Sequence, residues 1–170
     1  MKKKKLGTQI ITITKVKEKS GWLSCMSAYP IVHNGIQYKT CEALFQAIRF
    51  KDYPQIQKEI RECKSPMVAK MIARRERELL NRGKLWDEAS SDIPLMKECL
   101  KLKLQQHPDL KDKLIATGAA EIIEDCTTHD RESARFWGAV NKDDDWIGEN
   151  VFGKLWMEIR KELKKANKNN

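Results

Sequence analysis

Apolar and polar positions recur along this chain at two spacings, and the switch between them outlines the elements. Residues 8–16 (TQIITITKV) alternate with period two and are rich in β-branched side chains, which predicts a strand. Gly21 to Cys25 reads as a turn-like segment carrying one large ring, Trp22. Pro30 to Tyr38 predicts a hairpin, with Ile31-Val32 going out, Asn34-Gly35 turning and Ile36 to Tyr38 returning. From Thr40 the spacing becomes helical. Thr40 is a good N-cap, and Cys41, Leu44 and Ile48 form an apolar stripe at i, i+3, i+7 over a helix of about 41–51. Ser65-Pro66 opens another helix, as an N-cap followed by proline at the first helical position. Ser91-Asp92 with Pro94 opens a helix to about Gln106, and His107-Pro108 opens a shorter one that stops at Thr117-Gly118. Residues 121–125 (EIIED) read as a buried strand ending in acid, and Thr127 to Trp146 as a long polar loop rich in Trp and Asp. A last amphipathic helix over about 150–165 puts Val151, Leu155, Ile159 and Leu163 on one side. The sum is an α+β protein, helix-dominated, with a small N-terminal strand and hairpin region. Nothing alternates as βαβ, which argues against a doubly wound sheet.

Charge divides the chain further. The net charge is +9, but residues 1–19 carry seven Lys against Glu18, and residues 160–170 carry Arg160 and four Lys against Glu162. The two ends hold +10, so residues 20–159 sum to −1. This predicts a basic N-terminal segment with the first strand (1–19), one domain over 20–160, and a basic helix end and tail (161–170). Lys2 to Lys5 attract polyanions without specificity, and charge alone does not make the chain a nucleic-acid reader. The lysines lack a following apolar run, so no signal peptide is expected, and no stretch is long enough to span a membrane. Five widely spaced cysteines, with no C-x-x-C and no zinc-ligand spacing of His33, His107 or His129, predict free thiols in a reducing cytoplasm and no metal.

Candidate chemistry gathers on the central helix. Glu42, Phe45, Gln46 and Arg49 recur at i, i+3, i+4, i+7 beside the apolar stripe, so an acid, a ring, an amide and a guanidinium point the same way. That set suits a polar planar ligand, although the helix taken alone reads more simply as half-buried with a solvated charged edge. Lys70, Arg74 and Arg77 form a cationic stripe on the next helix, solvated by default and suited to a phosphate otherwise. Trp86 follows the break at Asn81–Lys84, as a packing anchor or a stacking lid. Walker, G-x-G-x-x-G and G-x-S-x-G patterns are absent. Glu42, Glu124, Asp125 and Asp130 share segments with aromatic residues, and paired carboxylates near rings are what glycosidic-bond cleavage needs.

The order of these pieces resembles the NADAR family of YbiA-like domains, from about Gly21 to Arg160. The matching blocks are Gly21-Trp22-Leu23-Ser24, Tyr29-Pro30, Gly35 to Glu42 closing on Phe45-Gln46-Ala47, and Ser65-Pro66 with Ala69-Lys70 and Arg74. Trp86, the run Leu114 to Gly118 before Glu124, Phe136-Trp137-Gly138, Gly148-Glu149-Asn150, Gly153-Lys154-Leu155 and Met157 to Arg160 complete them. The resemblance implies a cofactor-free N-glycosidase that cleaves a bond between a ribose carbon and a nitrogen. The substrate would be a ribosylamino-pyrimidine phosphate or ADP-ribose on guanine, with ADP-ribosylated nucleic acid as a partner. By position, Glu42 would be a catalytic acid or sugar-binding carboxylate, with Phe45, Gln46 and Arg49 beside it. Trp86 and Trp137 would stack on the base or sugar, Trp22 and Ser24 would bind substrate, Lys70 and Arg74 would hold the phosphate, and Asn150 would line the pocket wall.

Three positions depart from the family pattern. Arg135 stands where relatives place an Asp, so that Asp130 reaches the site as the second acid, or Glu124 or Asp125 substitutes, or the second acid is absent. Arg49 stands where a Lys is common, so an attack by a lysine amine would fall to Lys51 or Lys70 with a pKa lowered by burial. Ala73 replaces a Gly, harmlessly for a helix. The first two departures motivate an alternative, a non-catalytic module that binds ADP-ribose or a related nucleotide.

Overall fold

A computed structural model describes residues 9–80 and 91–168. The elements run β1 (Ile10–Ile13), β2 (Ile31–His33), β3 (Ile36–Tyr38), α1 (Cys41–Arg49), α2 (Pro54–Glu62), α3 (Pro66–Arg75), α4 (Ile93–Gln106) and α5 (Asp109–Ala116). After these come β4 (Glu121–Glu124), α6 (Glu132–Trp137), β5 (Val140–Lys142), β6 (Asp145–Ile147) and α7 (Val151–Lys168). The class is α+β, with three two-stranded sheets among the described residues. The chain clusters into two compact units. One is the contiguous stretch 25–108, and the other joins 1–24 to 109–170.

In the contiguous unit, α1 is the hub. The Thr40 hydroxyl accepts from the Ala43 N–H at 3.1 Å and starts the helix from extended backbone. Helices α2, α3 and α4 and the β2–β3 hairpin all pack on α1. With neighbours on so many sides, Cys41, Leu44 and Ala47 are buried, and so are Glu42, Phe45, Gln46 and Arg49. The solvated charged edge is therefore not what forms, while Ile48 from the apolar stripe is half-exposed. Helix α2 is an element that the spacing did not announce. It opens with proline at its first turn and buries Ile60. The hairpin turns as expected, Asn34 and Gly35 both having positive φ (51° and 74°).

In the second unit, β1 lies parallel to β4, with Ile10 opposite Glu121 and Ile13 opposite Glu124. The expected strand begins at residue 8, which lies outside the described residues; among those described it runs over Ile10–Ile13, and residues 14–16 leave the ladder. Helix α7 packs on β4. Gly153 makes this approach possible: a Cβ there would lie 2.1 Å from the Ile122 carbonyl oxygen and 2.6 Å from the Asn150 carboxamide. Asn150 itself has φ 52° and clamps β4, its Nδ2 donating to Ile122 O at 2.8 Å and its Oδ1 accepting from Glu124 N at 3.0 Å. Trp156, fully buried in α7, donates its indole N–H to Leu23 O at 3.0 Å.

The polar stretch 127–146 is more ordered than a loop. It holds α6 and a β5–β6 hairpin whose turn residues Asp143 and Asp144 both take positive φ (51° and 66°). Two consecutive left-handed residues make the hairpin turn that matches strand twist, and aspartate tolerates that conformation without glycine.

Candidate active site

The buried polar face of α1 forms one connected chain of hydrogen bonds. Glu42 sits in the first turn, where the helix dipole favours a carboxylate. Cys25 grips it twice. The Cys25 carbonyl accepts from the Glu42 N–H at 2.9 Å, and its thiol donates to Oε2 at 2.9 Å. Oε1 accepts from the Gln46 amide at 2.8 Å. The Gln46 carbonyl in turn accepts from Arg49 Nη1 at 2.8 Å, and Arg49 Nη2 faces Asp92 Oδ2 at 3.2 Å. The guanidinium also lies over the Phe45 ring, 5.4 Å from its centre. Arg49 and Asp92 are buried together, so each ion's desolvation is offset by its partner.

Beside this chain lies Lys103, the one buried lysine among the described residues. Its ammonium donates to the Ser27 hydroxyl at 2.8 Å and stands 4.9 Å from the centre of the Tyr29 ring. Burial pushes its pKa down to about 8, against the opposing pull of Cys41 and Cys25. The neighbouring Cys99 thiol and burial together hold the Cys41 thiol well above the usual range.

The remaining sequence-derived residues are distributed as follows. Lys70 and Arg74 are exposed on α3, and Arg77 falls beyond its end, so the expected cationic row stops short. Lys51 is exposed just after α1. These residues share the contiguous unit with Glu42. Trp22, Ser24, Asp130, Trp137 and Asn150 belong to the other unit. Trp22 is half-buried edge-on to Trp156, and Ser24 closes the short turn after it. Trp137 stands edge-on to Phe136 at the end of α6. Asp130 is held in a fork by Arg135, whose Nε and Nη2 donate at 2.6 and 2.7 Å, and this keeps its carboxyl below the usual range. Trp86 lies outside the described residues. A cavity of about 140 Å³ lined by Glu121, Ile123, Trp146, Asn150 and Lys154 is too small for a nucleotide, which needs at least ~300 Å³. Among the described residues, no cluster of His, Cys, Asp or Glu could hold a metal. No described helix is long and apolar enough to cross a membrane.

Sequence reasoning did not single out Cys25, Ser27, Asp92 or Lys103. Lys103 had a legible signal: it continues the buried stripe Met96, Cys99, Leu100, Leu104 of α4, where a lysine has no solvent to reach. Asp92 stands at the start of α4, yet its side chain makes no capping bond and faces Arg49 instead.

Residues 13–164 match the NADAR domain. The chain belongs to the NADAR family. It is similar to the N-glycosidase YbiA of Escherichia coli, with 31% identity over 154 residues, 91% of this chain and 88% of that one. A protein of Acanthamoeba polyphaga mimivirus, also named an N-glycosidase, is 34% identical over 113 residues, 62% of this chain and 61% of its own. The NMR structure of the E. coli protein YbiA superimposes with a TM-score of 0.74 at 30% identity, covering 95% of this chain and 89% of the other. The buried Glu42–Gln46 pair thus sits within a NADAR fold.

Proposed function

We propose that this protein is an N-glycosidase that hydrolyses the bond between a ribose anomeric carbon and a nitrogen. The substrate class is an ADP-ribosyl compound, such as ADP-ribosylated guanine, or a ribosylamino-pyrimidine phosphate. The observation that carries the reading is the Glu42 carboxylate, buried at a helix N-terminus and held by donors on both oxygens. Cleavage of such a bond develops positive charge on the sugar, and a preorganised carboxylate in a dry setting stabilises it far better than water does. Water then adds to the anomeric carbon and gives up one proton, which ends on the departing nitrogen as the C–N bond breaks. Asp130 is the proposed second carboxylate, kept ionised by Arg135. Lys70 and Arg74, exposed cations on one helix, suit the phosphate, and Trp22 and Trp137 supply ring edges for the base or sugar. Where an amine is needed to attack the anomeric carbon, Lys103 meets the condition of burial that Lys51 and Lys70 do not.

The test is a mass-spectrometric hydrolysis assay on two substrates, an oligonucleotide carrying ADP-ribosylated guanine and a ribosylamino-pyrimidine phosphate. Wild type is compared with Glu42→Gln, both checked by circular dichroism. Release of free base by wild type and its loss in the variant are the expected results. No release from either substrate, with ADP-ribose still raising the melting temperature, supports the non-catalytic binding module instead.

A further inference from the structure

Gln46 bridges two groups of opposite demand. A guanidinium can only donate, so the amide oxygen of Gln46 must face Arg49. The amide nitrogen must then face Glu42, and it can only donate. The orientation of this amide is therefore set by chemistry rather than by the ambiguity that usually surrounds glutamine. Arg49 is in turn held by the buried Asp92, from the start of α4. From the other side, the Cys25 thiol donates to the second carboxylate oxygen.

We propose that Asp92 and Arg49 are positioning residues that act through Gln46 to hold Glu42 as a hydrogen-bond acceptor on both oxygens. This rests on the reading of Glu42 as the reacting carboxylate. It narrows that role: Glu42 stabilises positive charge on the sugar, and the proton on the departing nitrogen comes from the attacking water. The guanidinium at position 49 is what makes the relay possible, because its fork reaches Gln46 and Asp92 together.

The test is a mutant cycle on whichever of the two substrates the wild type cleaves, with Glu42→Gln measured in parallel. Gln46→Met keeps the length of the side chain and removes both hydrogen bonds. Arg49→Met/Asp92→Leu removes the buried pair together, so that neither partner leaves the other's charge behind. Each is expected to lower kcat about tenfold or more with KM changed less than about threefold, the pattern of an interaction made in the transition state. Combining all three substitutions is expected to cost no more than Gln46→Met alone, because the pair acts only through the amide. In wild type and Arg49→Met/Asp92→Leu, the Gln46 side-chain NH2 is followed by NMR, assigned by its absence in Gln46→Met. Slow exchange with solvent in wild type and fast exchange in the pair variant are expected. If the pair variant does not fold, Arg49→Lys, which keeps the charge and loses the fork, replaces it in the cycle. A Gln46→Met enzyme with wild-type kcat, or fully additive losses, overturns the relay. Wild-type turnover by Glu42→Gln overturns the assignment of Glu42 itself, whatever Gln46→Met does.

Discussion

Arg49 and Asp92 face each other at 3.2 Å with side chains 1% and 0% exposed. Such a pair is asymmetric in its energetics. Removing one partner strands the other charge out of water, at a cost of about 3–5 kcal/mol, whereas removing both is nearly neutral. Arg49→Met alone is therefore expected to destabilise the protein by that amount in urea unfolding, and adding Asp92→Leu to recover most of it. A single variant as stable as wild type would show that the pair is solvated in solution.

Lys103 predicts a pH dependence with a definite sign. Its folded pKa of about 8 lies below the ordinary 10.5, so on raising the pH the folded state releases the proton first. Between those values the unfolded chain binds more protons, and stability grows with pH. Below about pH 8 the cost of the buried charge is fully present, on the order of 3 kcal/mol by linkage. Lys103→Met is expected to be more stable than wild type at pH 7, with the advantage shrinking as pH rises toward 10.5. Parallel stability curves for the two proteins would mean that Lys103 stays charged in the fold.

Asp130 separates catalysis from stability. The fork with Arg135 is exposed, and exposed pairs contribute little to folding. Asp130→Asn is expected to leave the denaturation midpoint where it is while lowering kcat about tenfold or more. Arg135→Ala lets the carboxyl return toward its ordinary value, so the acid side of the pH–kcat profile moves to higher pH. An unmoved profile would pass the second acid to Glu124 or Asp125.

Gly153→Ala tests the packing of α7. The added methyl meets backbone oxygen and the Asn150 clamp, neither of which is the loose end of a flexible side chain. The cost is expected at the upper end of overpacking, about 3 kcal/mol, read as a lower urea midpoint.

Local signals made much of this fold legible. Thr40, Ser65-Pro66 and Asn34-Gly35 work through their own backbone, so their caps and turn appear where the residues stand. The same holds for the acid, ring, amide and guanidinium of α1, whose spacing put them on one face. Whether that face meets water depends on α2, α3 and α4 arriving around it, which spacing within α1 does not encode. Asp92 and Lys103 were harder for the same reason. Each finds its partner far along the chain, Arg49 for the one and Ser27 for the other, and a sequence shows such pairs only as isolated charges.

The parallel pairing of β1 with β4 has a consequence for how the protein is made. Ile10 leaves the ribosome early, and its partner Glu121 follows only after the whole of 25–108 has emerged. The contiguous unit has its own elements in hand by then, while β1 must wait unpaired. Synthesis therefore imposes an order, with the interior of the sequence able to condense before its two ends close. A ribosome stalled short of residue 121 would hold a chain with an open strand at its beginning, exposed to pairing with a neighbour.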